Sequence, residues 1–291
     1  MSIIMENISY TYMKGTPYER TALKEISVEI HAGEFVAIIG HSGSGKSTLV
    51  QHMSGLLQPL SGKVQIEGID ISQKGAEAKA AKRKIGLVFQ YPEHQLFAES
   101  VFEDVAFGPV NMGLPEEEVK KRVEKALHFV RLPAKEYAER SPFQLSGGQM
   151  RRVAIAGVMA MQPEYLILDE PTAGLDPTAR DLFYEEIKEL RQKSGMSIIL
   201  VTHNMEEAME LSDRMLVMSG GQIIADGKPE QIFNEKKDII KKAGVDVPDI
   251  VSLVDCLKKE GLTIKDNCFS KDELVDEIIK SMSQGVKKNA Q

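Results

Sequence analysis

Four short apolar runs along the chain each end in a polar or glycine-rich segment. The runs are Phe35–Ile39, Leu87–Phe89, Tyr165–Leu168 and Ile198–Val201, and the residues that follow them are Gly40, Gln90, Asp169 and Thr202. Uninterrupted apolar runs of this length are typical of strands that are buried on both faces of a parallel sheet. Ligands of such sheets bind beyond the carboxyl ends of the strands. We therefore expect the four polar ends to share one edge of the sheet and to form a binding site there.

Other segments have different periodicities. Lys63–Ile71 alternates weakly, which favours an antiparallel strand or hairpin. Between Pro115 and Arg131 the apolar residues recur at helical spacing, and three glutamates near the start suit the positive end of a helix dipole. Leu211–Phe233 predicts two strands joined at a pair of glycines, followed by a helix that opens at Pro229. The main domain is expected to end near Asn234.

Residues 235–291 differ in character from the rest of the chain. The apolar positions Ile250, Val251, Val254 and Leu257 predict a short helix, and Ser270 with Glu273 has the pattern of a capping box. We interpret this segment as a small helical extension for self-association or regulation. An inert appendage is the alternative.

Composition narrows the class of protein. Hydrophobic residues make up 42% of the 291 residues and charged residues 27%, which suits a globular protein with a sizeable core. The net charge of −7 argues against nucleic-acid binding by phosphate neutralisation. Cys256 and Cys268 fit no zinc pattern, so we expect reduced thiols in a cytosolic protein. The sequence shows neither a membrane-spanning run nor the features of a signal peptide, so any membrane role is expected to act from the cytosolic side through a partner.

The first apolar run leads into a glycine-rich loop that matches the phosphate-binding pattern G-x-x-x-x-G-K-[ST]. The matching residues are Gly40, His41, Ser42, Gly43, Ser44, Gly45, Lys46 and Ser47. Glycines let successive backbone N–H groups point at one anion, and the helix expected over Ser47–Leu57 adds its positive end. Lys46 is then expected to reach the β- and γ-phosphates, and Ser47 to bind Mg²⁺. A merely flexible loop is the alternative.

Two adjacent carboxylates, Asp169 and Glu170, follow the third apolar run. Unpaired charges at the end of a buried strand are costly, and a magnesium nucleotide gives them a purpose. Asp169 is expected to bind Mg²⁺ through water, and Glu170 to orient or deprotonate the attacking water. Solvated acids that merely end a strand are the alternative.

A second loop combines small residues with the start of a predicted helix. Ser146, Gly147, Gly148 and Gln149 follow Leu145 and precede the helical run Met150–Met161, so their N–H groups and hydroxyl predict a second anion site. Two phosphate-binding loops in one chain make sense if two chains pair head to tail, each loop closing over the other chain's nucleotide.

Together these motifs resemble the ATP-binding cassette family of ATPases over residues 1 to about 235. The family names are Walker A for Gly40–Ser47, Q-loop for Gln90, signature for Leu145–Gln149, Walker B for Tyr165–Glu170, D-loop for Ala173–Asp176 and H-switch for His203. The resemblance implies an α/β fold of the P-loop NTPase cassette type. Such a cassette has a parallel core sheet, an antiparallel β-subdomain and a helical subdomain at about residues 92–160, and here a small C-terminal helical domain at 235–291 would follow the ATPase domain at 1–234.

The resemblance also assigns residue roles. Catalysis would involve Glu170, with His203 contacting the γ-phosphate, Gln90 sensing Mg²⁺ and water, and Lys46 on the phosphates. Thr48 and Asp176 would join the loop residues in binding ATP, and Mg²⁺ would be bound by Ser47, Gln90 and Asp169. Tyr12 resembles the aromatic residue that stacks on adenine, Tyr10 is its rival, and an ordinary strand tyrosine is the third interpretation.

Residues near the Q-loop resemble one subfamily more closely. The segments Phe89–Phe97 and Glu103–Pro109 look like those of the ATPases in energy-coupling factor transporters, which take up vitamins or transition-metal ions in prokaryotes. Tyr10–Pro17 and Arg140–Arg152 resemble the second of the two ATPases in such transporters. That likeness implies a peripheral protein on the cytoplasmic face of the cell membrane. Its partners would be a second related ATPase, a transmembrane coupling protein and integral-membrane subunits that capture the substrate, with no nucleic acid. An ATPase of a conventional importer and a soluble cassette ATPase acting on ribosomes or DNA remain alternatives.

Overall fold

The computed structural model describes residues 1–265 and 271–288. The strands of this part of the chain are β1 (Ser2–Tyr12), β2 (Arg20–His31), β3 (Phe35–Ile39), β4 (Ser61–Ile66), β5 (Ile69–Asp70), β6 (Ile85–Val88), β7 (Tyr165–Asp169), β8 (Ser197–Val201), β9 (Arg214–Ser219) and β10 (Gln222–Gly227). The helices are α1 (Lys46–Met53), α2 (Ala76–Arg83), α3 (Val101–Asn111), α4 (Glu116–Phe129), α5 (Ala134–Tyr137), α6 (Gly147–Ala160), α7 (Pro177–Ser194), α8 (Met205–Leu211), α9 (Pro229–Glu235), α10 (Lys237–Lys242), α11 (Asp249–Lys259) and α12 (Lys271–Lys288). Short 3-10 turns cover Pro92–Gln95 and Pro142–Gln144.

The chain divides into two compact units. The first unit consists of Met1–Phe35 and Ser47–Val201, and the second consists of Val36–Lys46 and Thr202–Gln291. Both units are therefore built from segments that are distant in sequence. The predicted domain boundary at 234/235 falls inside the second unit, so this division leaves it a prediction.

An antiparallel sheet in the first unit has the strand order β2-β1-β4-β5. Along β1 the side chains of Ile3 and Met5 are buried while their neighbours are partly exposed, which is the alternation expected of a sheet with one covered face. β4 and β5 pair as an antiparallel hairpin at Ile66 and Ile69, as the pattern of Lys63–Ile71 predicted.

Three parallel strands of the first unit correspond to three of the four predicted runs, although β6 spans Ile85–Val88 rather than 87–89 and Leu87 is only partly buried. β6 pairs with β7, and β7 pairs with β8, both in parallel. Every residue of β7 and β8 is buried, so these strands have no polar face. Their common direction carries Gln90 and Asp169 to the same edge.

Helices α3, α4 and α6 pack together after β6. Pro115 occupies the N-cap position of α4 and three glutamates fill its first turn, as the sequence predicted. Val119, Val123 and Leu127 form its buried stripe. α3 begins with a capping box between Ser100 and Glu103.

The second unit has its own strands and core. β3 pairs in parallel with β9, and β9 pairs antiparallel with β10 through the predicted turn at Gly220 and Gly221. Their apolar face is covered partly by the C-terminal segment, since Ile240, Val245 and Val251 belong to the same buried cluster as Ile39. The C-terminal helices therefore complete a core that the strands begin.

The helix predicted around Val251 and Val254 is α11. Val251 of α11 belongs to the cluster around Ile39, whereas Val254 packs with Ile264 and Leu274 in a separate cluster. The thiol of Cys256 is free and exposed. The predicted capping residue Ser270, and Cys268, lie outside the described residues.

α1 differs slightly from its predicted extent of 47–57. It starts at Lys46 and ends at Met53 because Gly55 takes a left-handed conformation with φ of 71°. That conformation is a common helix terminus. The amides of Leu56 and Leu57 both turn back to the Gln51 carbonyl.

Candidate functional site

The glycine-rich loop lies in the second unit between β3 and α1. A Cβ added at Gly40, where φ is 155°, would lie 2.4 Å from the Met218 carbonyl oxygen and 2.6 Å from Ser44 Oγ. No other residue fits at this position without moving the backbone. The Gly221 amide also donates to the Ser44 carbonyl at 3.0 Å, so the β9–β10 turn holds the loop from one side.

Lys46 curls back over this loop. Its Nζ donates to the carbonyl oxygens of Gly40 at 2.7 Å and His41 at 3.1 Å, and its side chain is buried. Gly43 and Gly45 have φ of 80° and 110°, so the backbone between them folds into the compact curve that directs N–H groups inwards. His41, Ser42 and Gly43 are exposed. The loop therefore combines a helix start, an ammonium group and accessible backbone, which fits a polyphosphate.

The N-terminal aromatic residues lie in the first unit beside α1. Tyr12 OH and Thr48 Oγ1 are 3.2 Å apart, and the Tyr12 ring remains 37% exposed. Tyr10 contacts the Tyr12 ring edge-on at 4.9 Å and the His52 ring at 4.7 Å. His52 is buried, and this burial lowers the pKa of its imidazole. Tyr10 thus contacts two rings and is partly buried, while Tyr12 is exposed.

Two predicted catalytic residues meet at the ends of β6 and β7. Gln90 Nε2 donates to Glu170 Oε2 at 2.9 Å. Glu170 has φ of 47°, an uncommon conformation for a residue with a side chain, and its amide donates to the Val201 carbonyl at 2.9 Å. Asp169 is buried at the last position of β7. Tyr91, next to Gln90, also has a left-handed φ of 54°. Outliers of this kind concentrate at functional sites.

The second small-residue loop begins α6. Ser146 Oγ accepts from the Gln149 amide at 3.4 Å and Gln149 Oε1 accepts from the Ser146 amide at 3.0 Å, which is a complete capping box. Gly147 and Gly148 are exposed, and a Cβ at either would meet no atom within 4 Å. Nothing within the described chain explains why both are glycine. An approaching ligand or second chain would explain it.

Asp176 and His203 occupy exposed positions in different units. In the first unit Asp176 caps α7, accepting from the Ala179 amide at 3.0 Å. In the second unit His203 follows directly after Thr202, whose N–H donates to the Ile38 carbonyl at 3.2 Å. The cap role of Asp176 was not predicted from the sequence, although an Asp-Pro pair before a helix is a recognisable signal.

The sequence did not predict the buried carboxylate of Glu207, which lies four residues after His203. Glu207 accepts from the Thr202 hydroxyl at 2.9 Å and from the Asn204 side-chain amide at 3.1 Å. Asn204 also caps α8, accepting from the amides of Glu206 and Glu207. The residues on both sides of His203 are therefore fixed by one carboxylate.

Magnesium was predicted at Ser47, Gln90 and Asp169. Within residues 1–265 and 271–288, no group of three or more His, Cys, Asp or Glu side chains could hold a metal. Ser47 is exposed at the start of α1 and Asp169 ends β7, so each offers an oxygen ligand. Mg²⁺ commonly uses one or two protein oxygens together with substrate phosphates, and these residues fit that mode of binding.

Comparison with known proteins identifies the family. The family model described as ABC transporter matches residues 23–173. The chain is 50% identical over 280 residues to the "Energy-coupling factor transporter ATP-binding protein EcfA2" of Clostridium tetani, covering 96% of this chain and 97% of that one. None of the helices in the described part of the chain combines the length and apolar character needed to span a membrane.

Solved structures agree with that assignment. The structure of cbiO1 from Clostridium perfringens, described as "Part of the ABC transporter complex cbiONQ", has a TM-score of 0.72 and 40% identity, covering 87% of this chain and 98% of that one. A dimeric post-hydrolysis structure of the ATP-binding cassette MJ0796 bound to ADP and Pi has a TM-score of 0.68 and 32% identity, covering 78% and 98%. These neighbours confirm the predicted cassette fold. The chain belongs to the ABC transporter family, among the ATP-binding proteins of energy-coupling factor transporters.

Proposed function

We propose that the chain binds and hydrolyses ATP with Mg²⁺ as one of two related ATPase subunits of a prokaryotic transporter. The hydrogen bond from Gln90 to Glu170 is the observation that carries this proposal. It brings together an amide that can orient water and a carboxylate that can accept its proton, at the edge where parallel strands bind ligands. The glycine-rich loop with Lys46 supplies the phosphate-binding part.

We propose for the individual residues the roles that the resemblance to the cassette family implies. Lys46 and the N–H groups of residues 40–48 bind the phosphates, and Ser47, Asp169 and Gln90 hold Mg²⁺. The bound Mg²⁺ would neutralise charge that develops on the phosphoryl oxygens. Glu170 accepts a proton from the attacking water, and His203 contacts the γ-phosphate. Tyr12, which is more exposed than Tyr10, stacks on adenine.

Two chains close over the nucleotides in this proposal. The open space above Gly147 and Gly148 supports it, because a phosphate of a partner chain's nucleotide can approach the start of α6 there. The dimeric state of the cassette MJ0796 supports the same arrangement. Asp176 lies on the D-loop and contributes to that interface. The partner is a second ATPase of the same family, so the pair is a heterodimer.

The exposed residues after Gln90 provide the surface for a membrane partner. Phe97 and Phe107 contact edge-on at 4.9 Å and are 60% and 54% exposed, and Tyr91 and Val110 are also exposed. Exposed apolar side chains grouped in this way mark interaction sites. We assign this surface to a transmembrane coupling protein, which works with integral-membrane subunits that capture vitamins or transition-metal ions. The ATPase then lies on the cytoplasmic face of the membrane.

The C-terminal segment favours this class over a conventional importer. Conventional importer ATPases carry a β-rich regulatory extension, whereas α10, α11 and α12 are helical. We propose that residues 235–291 form a helical extension that contributes to dimerisation, after an ATPase domain at 1–234. The net charge of −7 disfavours a role on nucleic acid.

The experiment that tests the assembly is an affinity purification of the tagged full-length chain from its native membranes in mild detergent. Mass spectrometry should recover a second cassette ATPase, one coupling protein and several small multi-span proteins, and the last group would name the substrates. Recovery of a conventional permease with a soluble binding protein, or of ribosomal material alone, would overturn the transporter assignment. ATP hydrolysis by the purified assembly, with and without Mg²⁺, tests the chemistry separately.

A further inference from the structure

One buried guanidinium connects three segments of the first unit. Arg151 donates to both carboxylate oxygens of Glu93, with Nε–Oε2 and Nη2–Oε1 distances of 2.9 Å. It also donates from Nη1 to the Pro171 carbonyl at 3.1 Å and from Nη2 to the Ala173 carbonyl at 2.9 Å. Its side chain is only 6% exposed.

Each partner lies next to a residue of the proposed site. Glu93 belongs to the 3-10 turn that follows Gln90. Pro171 comes directly after Glu170, and Ala173 opens the D-loop. Arg151 itself lies in the second turn of α6, beyond Gln149. No assigned role in nucleotide binding or catalysis uses Arg151, and its hydrogen bonds go to these neighbours of the site.

The hydrogen bonds of Arg151 fix the relative positions of Glu93 and the two carbonyl groups. The planar guanidinium holds the carboxylate in a two-bond fork, and its remaining N–H groups bond the two carbonyls. Burial opposes ionisation of Glu93, but the hydrogen bonds and charge of Arg151, together with a backbone hydrogen bond at Glu93, outweigh it and hold the pKa of this carboxyl below its ordinary value. Glu93 is therefore a carboxylate at neutral pH. Removal of one partner from a buried, fully hydrogen-bonded ion pair strongly destabilises the folded state. The ion pair therefore holds the three segments in a fixed arrangement.

We propose that Arg151 is a positioning residue that fixes the segment after Glu170 relative to the turn after Gln90. This inference rests on the proposed ATPase function. The 3-10 turn that carries Glu93 also borders the exposed Tyr91, so the guanidinium provides a direct path between the proposed partner surface and the residues that follow the catalytic carboxylate. A lysine at this position would keep the charge but would lose the fork and at least one carbonyl bond.

The test compares R151K, R151Q and E93Q in the purified assembly with the wild type. Misplacing a catalytic segment slows the chemical step without removing contacts to the nucleotide. We expect kcat for ATP hydrolysis to fall about 10- to 100-fold in R151Q, with the KM for ATP within about twofold of wild type. The kcat of R151K should lie between the values for wild type and R151Q. E93Q keeps the volume of the side chain, and its kcat is expected to be about threefold to tenfold lower than that of wild type.

The matched control is R122K. Arg122 pairs with Glu118 at 2.8 Å, and both residues lie within α4. R122K should leave kcat unchanged. If R151K and E93Q both keep kcat within about twofold, or if their loss appears in KM instead, the positioning role is wrong.

Hydrogen exchange separates this inference from the proposed function. In R151K and E93Q the amides of residues 172–176 should exchange faster than in wild type, whether or not the assembly hydrolyses ATP. Absence of hydrolysis in the wild type would refute the ATPase proposal alone. Unchanged exchange of residues 172–176 in both variants would refute the role of Arg151.

Discussion

The side-chain amide of Gln90 lies 2.9 Å from the Glu170 carboxylate, and the two residues follow neighbouring parallel strands. Neither residue is close to the other in sequence, so the pairing of β6 with β7 creates the contact. The amide N–H donates a hydrogen bond to the carboxylate oxygen and so holds the carboxylate in one orientation. This relationship underlies the first two predictions.

Replacement of Glu170 by glutamine should remove the proton acceptor while keeping the size of the side chain. We expect ATP to bind normally, the two ATPase subunits to stay closed, and hydrolysis to fall about 100-fold or more. Single-turnover hydrolysis and size-exclusion chromatography with ATP would measure this. The control is Glu164→Gln at the opposite end of β7. Rapid turnover by Glu170→Gln would show that another group activates water.

Replacement of Gln90 by glutamate should make hydrolysis depend on pH in a new way. Two carboxylates at hydrogen-bond distance cannot both ionise easily, so the pair keeps a proton to higher pH than either carboxyl alone would. As the pH rises this proton is lost and the proton acceptor is restored. We expect kcat of Gln90→Glu to rise with pH over a range in which wild-type kcat is constant, whereas Gln90→Ala should lower kcat by the same factor at every pH. A flat profile in Gln90→Glu would contradict the pairing.

Alanine at Gly148 should separate folding from function. A methyl group at this position meets nothing within 4 Å, and alanine favours a helix over glycine by up to about 1 kcal/mol. The melting temperature should therefore stay unchanged or rise, while ATP-dependent closure and hydrolysis are lost. Gly157→Ala, on the same helix with its nearest contact at 3.9 Å, is the control that should keep activity. Full activity in Gly148→Ala would remove the reason for placing a partner's nucleotide there.

Removal of the Tyr12 ring should weaken nucleotide binding. Stacking of a base on an aromatic side chain contributes about 1–3 kcal/mol, so Tyr12→Ala should lower ATP affinity about 5- to 100-fold and Tyr12→Phe should retain most of it. Titration of nucleotide binding would measure the change, with Tyr18→Ala as the exposed control. A larger loss in Tyr10→Ala at equal stability would transfer the role to Tyr10.

A buried carboxylate in α7 gives a stability prediction with a defined sign. Burial raises the pKa of Glu186, and the positive charges of Arg152 and of the half-exposed Arg131, which pairs with it at 3.4 Å, offset this only in part. The folded state therefore disfavours the charged form once the pH exceeds the carboxyl's ordinary value. Glu186→Gln should match wild type at low pH and become more stable as the pH rises, by about 1 kcal/mol or 2–4 °C at pH 8.

Thermal unfolding between pH 4 and pH 8 would test this prediction. Glu185→Gln, the exposed neighbour, should show no such trend. A Glu186→Gln variant that is less stable than wild type at pH 8 would mean that the Arg131 contact outweighs the cost of burial.

The features predicted from sequence are those encoded locally. The strands around the loop and β7 were predicted because buried parallel strands are apolar throughout, and Gly40 was found because its backbone conformation excludes other residues. The turn between β9 and β10 and the start of α9 were predicted from glycines and Pro229 for the same reason.

The features missed depend on contacts between distant residues. Arg151 and Glu93 are 58 positions apart, and neither interrupts the periodicity of its own segment. The C-terminal helix α11 was predicted, but not that Val251 would complete the core behind β3. Hydrophobic periodicity identifies a buried face without identifying what covers it.

The contacts that hold the phosphate loop have a consequence for the order in which the protein folds. The loop comes early in the sequence, yet it accepts a hydrogen bond from the Gly221 amide and packs so closely against the Met218 carbonyl that no side chain fits at Gly40. Contacts of such long sequence separation form late in folding. A chain that ends before β9 has the lysine and glycines of the loop but lacks the turn that holds it, so we expect nucleotide binding to require β9 and the β9–β10 turn.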